Sequence, residues 1–302
     1  MRKLFAGICA AVLRLQDKKI IRLQVLMILS LMILSLTTGC GGDNASKPAP
    51  PEKATIGVIT HLNVSETEYN DLMQKLEKSY RPSKANLSAQ YKYFDKMNDM
   101  QLALEGGQID MLSTYQNVAN YMLQKNDDKE ILPTEKILSD SFCFAVREGD
   151  TMLQHSLNKA IKEMATDGTL ANLTKEYIVD LKDGAKPPVV PITQIDGADT
   201  IKVAVTGDLP PFDMILEDGT PAGFSTAVLA EMSRRIGKNI ELVSVDSAAR
   251  ASILSSKNAD VVFWVSVPKD FTLVPAHIDT PAGIAISDPY YSDNIVHVGL
   301  KK

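Results

Sequence analysis

The sequence predicts an α/β protein made of two halves, each a mainly parallel sheet flanked by helices. Two observations predict it. Between residues 54 and 123, and again between 200 and 264, short β-branched or aromatic runs alternate with helical patterns, and strands separated by helices pair in parallel through crossovers. A Pro-rich passage, GAKPPVVPITQIDGAD at 184–199, divides the two stretches, each about the size of an ordinary domain.

In the first half the pattern predicts a strand over Thr55–Thr60 and a helix over Glu66–Tyr80, started by a capping box of Ser65 and Glu68. A strand over Ser88–Phe94, a helix over Asn98–Leu104, a strand over Met111–Thr114 and a helix over Val118–Leu123 follow, then an apolar strand at Phe142–Val146 that carries Cys143. From Thr151 to Ile178, Leu153, Leu157, Ile161, Met164, Leu170, Leu173 and Tyr177 recur at steps of three or four with few departures, which makes one amphipathic packing surface. The second half reads as strand Ile201–Val205, helix Phe224–Ile236, strand Ile240–Val245, helix Ala248–Leu254, strand Asp260–Trp264 and a last strand holding Ile295–Val298.

Ahead of both halves lies a leader. Arg2, Lys3, Arg14, Lys18, Lys19 and Arg22 precede an apolar run, Leu23–Leu36, which ends in Thr37-Thr38-Gly39-Cys40. The run is shorter than the ~20 apolar residues of an ordinary membrane span. This arrangement resembles a bacterial lipoprotein signal with its lipobox, although Thr37 stands where Leu is usual and the basic region is long. The resemblance implies that residues 1–39 are removed and that Cys40 becomes the lipidated first residue, its acyl chains anchoring the protein to the cell membrane. An uncleaved signal anchor with a buried Cys40 is the competing reading. Residues 40–53, rich in Gly, Ser, Ala and Pro, read as a flexible tether.

Charge and side-chain inventory exclude several functions. The chain has 32 Lys and Arg against 37 Asp and Glu; residues 1–39 hold six of the former and one Asp of the latter, so the remainder carries 26 against 36, a net −10. Such a surface does not suit nucleic acid. With Cys9 in the leader and Cys40 in the lipobox, Cys143 stands alone and builds no disulfide or thiolate metal site. His61, His155, His277 and His297 lack metal-ligand spacing, which argues against zinc. No cofactor is expected.

The stretch TGDLPPFDMILEDGTPAGFSTAVLAEMSRRIGKNIELVSVD, then NADVVFW and ISDPYY, is similar to the first lobe of type 2 periplasmic solute-binding proteins, especially the polar amino-acid receptors of ABC importers. GGQIDMLSTYQNVANYMLQKN, followed by ILSDSFCFAVREGDTMLQHSLNKAIKEMATDGTLANLTKEYI, resembles the second lobe and closing helices of the same family. The resemblance implies a two-lobed type II periplasmic-binding fold with the lobes in permuted order: 54–183 the second-lobe-like half with a hinge strand and closing helix, 184–199 a linker, and 200–302 the first-lobe-like half ending in a hinge strand. A circular permutation explains this order; two truncated tandem modules are the alternative.

Ligands of open α/β sheets sit beyond the carboxyl ends of strands. That rule selects the loops after Val205, Val245 and Trp264 in one half and after Ile59, Phe94 and Thr114 in the other. Asp208 and Phe212 lie in a loop that resembles the family loop whose aromatic packs on ligand; for Phe212 a plain core role stands beside that one. Trp264, with Ser266 near it, offers an apolar wall or is core. Arg250 is placed to grip a carboxylate in a bidentate pair or to make a surface ion pair. Across the cleft from these, Thr60, His61 and Asn63 precede the capped helix, whose free N–H groups suit an acceptor, with a solvated loop role standing beside that one for His61, and Thr114 and Tyr115 lie at a strand end of the same half. The family's usual Thr-x-x-Arg is replaced by VSVPKDFT, and Tyr115 stands where an Asp commonly meets an α-ammonium. A phenol is neutral near pH 7. These residues favour a neutral or monoanionic solute.

The expected function is therefore capture of a small polar solute, an amino acid or related carboxylate, by an extracytoplasmic lipid-anchored monomer that delivers it to an ABC permease. A sensor or scaffold that no longer transports is the alternative. An enzyme of this fold would need an acid and a base converging on the cleft, for which Asp208, Asp246 and His61 are the candidates.

Overall fold

The computed structural model describes residues 53–59, 71, 88–124, 128–133, 138–181, 188–269 and 282–301. Cys40, Thr60, His61, Asn63, the leader, most of the tether and nearly all of the helix expected over Glu66–Tyr80 lie outside the described residues. Residues 51–300 belong to one compact unit. Among the described residues no helix is long and apolar enough to cross a membrane.

The first half supplies β1 (Lys53–Ile59), β2 (Ser88–Phe94), α1 (Met97–Glu105), β3 (Met111–Tyr115), α2 (Gln116–Leu123), β4 (Lys129–Leu132) and β5 (Leu138–Arg147). β1 pairs in parallel with both β2 and β3, and α1 covers β1 with Met100 and Leu104. Gly57 makes that close approach possible: a Cβ there would lie 2.6 Å from Ile109 Cδ1 and 2.9 Å from Met100 Cγ.

The second half supplies β6 (Thr200–Val205), β7 (Asp208–Leu209), β8 (Asp213–Ile215), β9 (Pro221–Ala222), α5 (Phe224–Ile236), β10 (Asn239–Ser244), α6 (Arg250–Ser255), β11 (Val261–Pro268), β12 (Ile284–Ile286) and β13 (Tyr291–Leu300). β6 pairs in parallel with β10 and β11. Between the halves stand α3 (Thr151–Thr166) and α4 (Thr169–Thr174), the latter continued by a wider π turn over Lys175–Val179.

The two parallel sets are not separate sheets. They form the ends of one ten-stranded mixed sheet in the order β10-β6-β11-β5-β13-β3-β1-β2, with β12 on β5 and β4 on β13. Antiparallel β5 and β13 join them: Tyr291 lies opposite Phe142, Asp293 opposite Asp140 and Ile295 opposite Leu138. β5 then pairs outward with β11, and β13 with β3, both antiparallel. Crossover strands bonded on both edges leave no seam in the hydrogen-bond ladder, which is why the sheet is mixed rather than two parallel ones.

Two local features have plain causes. The amphipathic stretch from Thr151 to Ile178 is divided at Asp167-Gly168, where Asp167 Oδ1 accepts hydrogen bonds from Thr169 N (3.0 Å) and Thr169 Oγ1 (2.6 Å) to start the next helix. The apolar spacing continues across the break because α3 and α4 both pack on α5, where Arg235 reaches Asp167 (2.7 Å) and Thr169 (3.0 Å). Residues 208–222, of which Asp208–Phe212 read as a loop, form the small antiparallel sheet β7-β8-β9, with a turn at Asp218-Gly219.

Candidate functional site

The face of the sheet where the halves meet is built by register. On adjacent strands, residues directly opposite share a face, and so do residues two apart on one strand. Ser266, Phe142 and Tyr291 make one row across β11, β5 and β13; Asp140 and Asp293 make the next; Tyr115 lies opposite Ile295 one row further on. Tyr115 Oη donates to Asp140 Oδ2 at 3.0 Å, and its ring meets Phe142 edge-on with centroids 4.6 Å apart.

Over this face lies the loop after β6. Its shape comes from Gly207, whose φ of 71° lets two successive amides, Thr206 N (2.9 Å) and Gly207 N (3.1 Å), converge on Asp213 Oδ2. A Cβ at 207 would press into Ile215. Thr206 Oγ1 and Ser225 Oγ also donate to the fully buried Asp213; burial pushes its carboxyl above the ordinary range and these four bonds oppose that. The carbonyls of Pro211 and Phe212 accept the first amides of α5, from Phe224 and Ser225, so the end of the loop is tied to the helix it precedes.

Phe212 is thereby held 2% exposed. Its ring packs on Phe142 (4.6 Å), Tyr291 (5.4 Å) and Phe224 (5.5 Å). Between Phe212 and the sheet face, with Asn117 and Val118 of α2 and Ile178 of the closing turn as further walls, lies a narrow crevice with no room for a water molecule. Tyr115, Phe142, Tyr291 and Asp293 line its floor. The cluster is both core and wall.

The sequence-derived candidates divide. Phe212 and Tyr115, from opposite halves, line the same space. Ser266 sits in the Phe142 row, 3% exposed. Arg250 and Trp264 form an adjacent unit and do not line the space: the guanidinium stacks 4.1 Å from the indole centroid, Nε donates to Ser247 O (3.1 Å) and Nη1 to Trp264 O (2.9 Å). Arg250 is 1% exposed, so it is not a surface ion pair. Trp264 Nε1 donates to Thr206 Oγ1 at 3.3 Å, which links this unit to Asp213.

Thr114 falls on the other face of β3 from Tyr115, because strand side chains alternate; it is buried and its Oγ1 has no hydrogen-bond partner. Asp208 reaches across to the other half, where Oδ2 accepts the amide of Met97 (3.1 Å) at the start of α1, a helix whose own N-cap residue, Lys96, makes no side-chain cap. Lys96 in turn pairs with Asp246 at 3.1 Å. Asp208 and Asp246, two of the three acid and base candidates, thus bridge the halves, and the third, His61, lies outside the described residues.

Sequence reasoning did not select Phe142, Asn117, Tyr291, Asp140 or Asp293. Asp293 Oδ2 accepts Asn117 N (3.0 Å), Asn117 Nδ2 (3.1 Å) and Tyr291 Oη (3.3 Å), while Oδ1 takes Asn294 N (2.8 Å). Burial pushes this carboxyl above its ordinary range, and burial with the neighbouring Asp293 charge pushes the Tyr291 phenol up as well. A signal was present: Asp140-x-Phe142 and Tyr291-x-Asp293 put a carboxylate in phase with an aromatic on each crossover strand. Among the described residues no three His, Cys, Asp or Glu gather as a metal ion would require.

Residues 201–268 match the family model described as bacterial extracellular solute-binding proteins, family 3. This match and the architecture agree on an α/β fold of the type II periplasmic-binding kind. No curated protein matches the sequence. Among solved structures, the ligand-binding component of an ABC-type import system from Staphylococcus aureus, with zinc bound, aligns with a TM-score of 0.42 at 14% identity, covering 82% of this chain and 65% of that one. The GluR0 ligand-binding core in complex with L-glutamate aligns at 0.39 and 11%, covering 83% and 86%. The effector-binding domain of QuiR in complex with shikimate aligns at 0.37 and 11%, covering 83% and 88%.

Proposed function

We propose that this protein is the solute-binding component of an ABC importer, lipid-anchored outside the cytoplasm through Cys40, with its two lobes in permuted order. The reading is supported by the junction over the β5–β13 ladder, where Phe212 of one half and Tyr115 of the other line one narrow crevice, in a chain whose residues 201–268 match a solute-binding family. The permuted order is supported by the direct pairing of β5 with β13 and by the packing of α3 and α4 on α5, although those helices are contiguous with the first half. Two independent tandem modules would give neither.

The solute is small and polar. Thermal unfolding of the protein in the presence of amino acids, small carboxylates, peptides and sugars tests capture: a ligand at one hundred times its dissociation constant raises stability by ~2.7 kcal/mol. Absence of any shift across these classes overturns the reading. For the anchor, wild-type protein partitions with membranes and Cys40→Ala does not; equal mature mass and equal lipid labelling of the two would remove the lipid from the proposal.

A second reading, a sensor or scaffold without transport, is favoured by one observation: Phe212 is packed among rings of its own chain, and the space beside it is small for a ligand site. Solute-dependent binding to a permease favours the first reading, and solute-independent binding of a partner the second.

A further inference from the structure

Two bridges cross the junction, and both end on one turn of the first half. Lys96 and Met97 follow β2, while Asp208 follows β6 and Asp246 follows β10. Asp208 Oδ2 accepts the Met97 amide at 3.1 Å, and Asp246 Oδ1 meets Lys96 Nζ at 3.1 Å. All three loops lie at the carboxyl ends of their strands, where open α/β sheets meet their ligands. The first amides of a helix ordinarily find an acceptor on the N-cap side chain, and Lys96 offers none. A carboxylate 111 residues away in the chain takes that place for Met97.

Further along the Asp208 loop, Phe212 closes the junction. It is 2% exposed, its ring lies on Phe142 and Tyr291, and the crevice beneath it has no room for a water molecule. The surfaces that a captured solute would touch are therefore already in contact with one another. We propose that Asp208 is a latch: its carboxylate, set on the start of α1, shuts the two halves on each other with no help from a solute, and a solute enters only after that bond breaks. Its consequence for capture rests on the receptor reading above. One such cap is worth about a factor of five in the balance between shut and open, so the open form is held back but stays accessible. The Lys96–Asp246 pair is exposed and adds little.

Hydrogen exchange of the full chain, followed by mass spectrometry, tests the latch. With no solute added, residues 95–105 and 206–215 of the wild type are both protected. Asp208→Ala raises exchange about fivefold in both segments, while β5 and β13 keep their protection. Leu102→Gly, at an exposed position of α1 one turn beyond the bridge, raises it in 95–105 alone. Asp208→Asn keeps an acceptor without the charge and gives a smaller rise in the same two segments; it serves if the alanine variant does not fold. A rise confined to 95–105 in Asp208→Ala makes Asp208 a helix cap and nothing more, and overturns the latch. So does a wild type whose residues 206–215 exchange like an unfolded peptide. A solute that binds the wild type associates about five times faster with Asp208→Ala, and an unchanged association rate also overturns the latch. If both segments respond and no solute of any class binds, the receptor reading fails and the latch stands; if a solute binds and only 95–105 responds, the reverse holds.

Discussion

Asp140 and Asp293 lie directly opposite one another in the β5–β13 ladder, 7% and 8% exposed. Like charges in this relation destabilise a sheet unless something offsets them. Here each is given phenol or amide donors by the first half: Tyr115 for Asp140, Asn117 for Asp293. The junction between the halves is therefore polar at its centre and aromatic around it.

Arg250 bears on stability before it bears on any ligand. Arg250→Ala withdraws donors from the carbonyls of Ser247 and Trp264 and the cation from the indole face, and it should lower unfolding free energy by ~2 to 4 kcal/mol in urea titrations. Arg250→Lys should recover part of that, since an ammonium cannot reach both carbonyls in the guanidinium's geometry. A stable alanine variant that has lost affinity for a carboxylate would return Arg250 to the role of ligand grip.

The two bridges beside the site should differ in strength. Asp208→Ala strips α1 of the acceptor for its first amide and should cost ~1 kcal/mol. Lys96 and Asp246 are 54% and 61% exposed, and breaking that pair should change stability far less than Asp208→Ala does, an effect that high salt abolishes. Denaturant titrations of each variant at two salt concentrations separate them.

The α3–α4 break should show in acid. Bonds from Thr169, and then from Arg235, hold the Asp167 carboxyl down at about 2. A carboxylate depressed from 3.8 contributes stability that is fully present above the unfolded value and is lost as pH falls from about 4 through about 2. Thr169→Ala removes the larger cause, so its stability should fall less steeply than wild type over that window. Identical slopes in acid unfolding curves would contradict the assignment.

Ser141 and Ser292 are directly opposite, with hydroxyls 3.2 Å apart. The double variant Ser141→Cys, Ser292→Cys should form an intramolecular disulfide, as one rearranged module requires and two tandem modules do not. Cys143 should not compete: burial, with the nearby Asp288 charge, pushes its thiol up to about 12, so it stays protonated and unreactive at pH 8. Mass shift under reducing and non-reducing conditions reads the result.

The described strands and helices were largely legible from periodicity; α5 and β2 agree with the sequence reading at both ends. The break at Gly168 and the β8–β9 turn were also legible, since Asp167-Gly168 and Asp218-Gly219 are both turn signals. The site was half legible. Phe212 and Tyr115 follow strand ends, where a loop rule finds them, but Asp293 and Phe142 lie inside strands and acquire meaning from partners on another strand. That partnership is register between segments remote in sequence, and no local pattern encodes it.

The same remoteness governs how the molecule comes into being. Ser141 and Ser292 are 151 residues apart, yet β5 and β13 occupy the middle of the sheet. At synthesis rates of about 5 to 20 residues per second, β5 waits roughly 8 to 30 seconds for the neighbour that completes it. Until then β3 and β5 present open edges, and such non-local pairing is slow to form. A chain cut before β13 would leave the two parallel blocks without the strand that joins them.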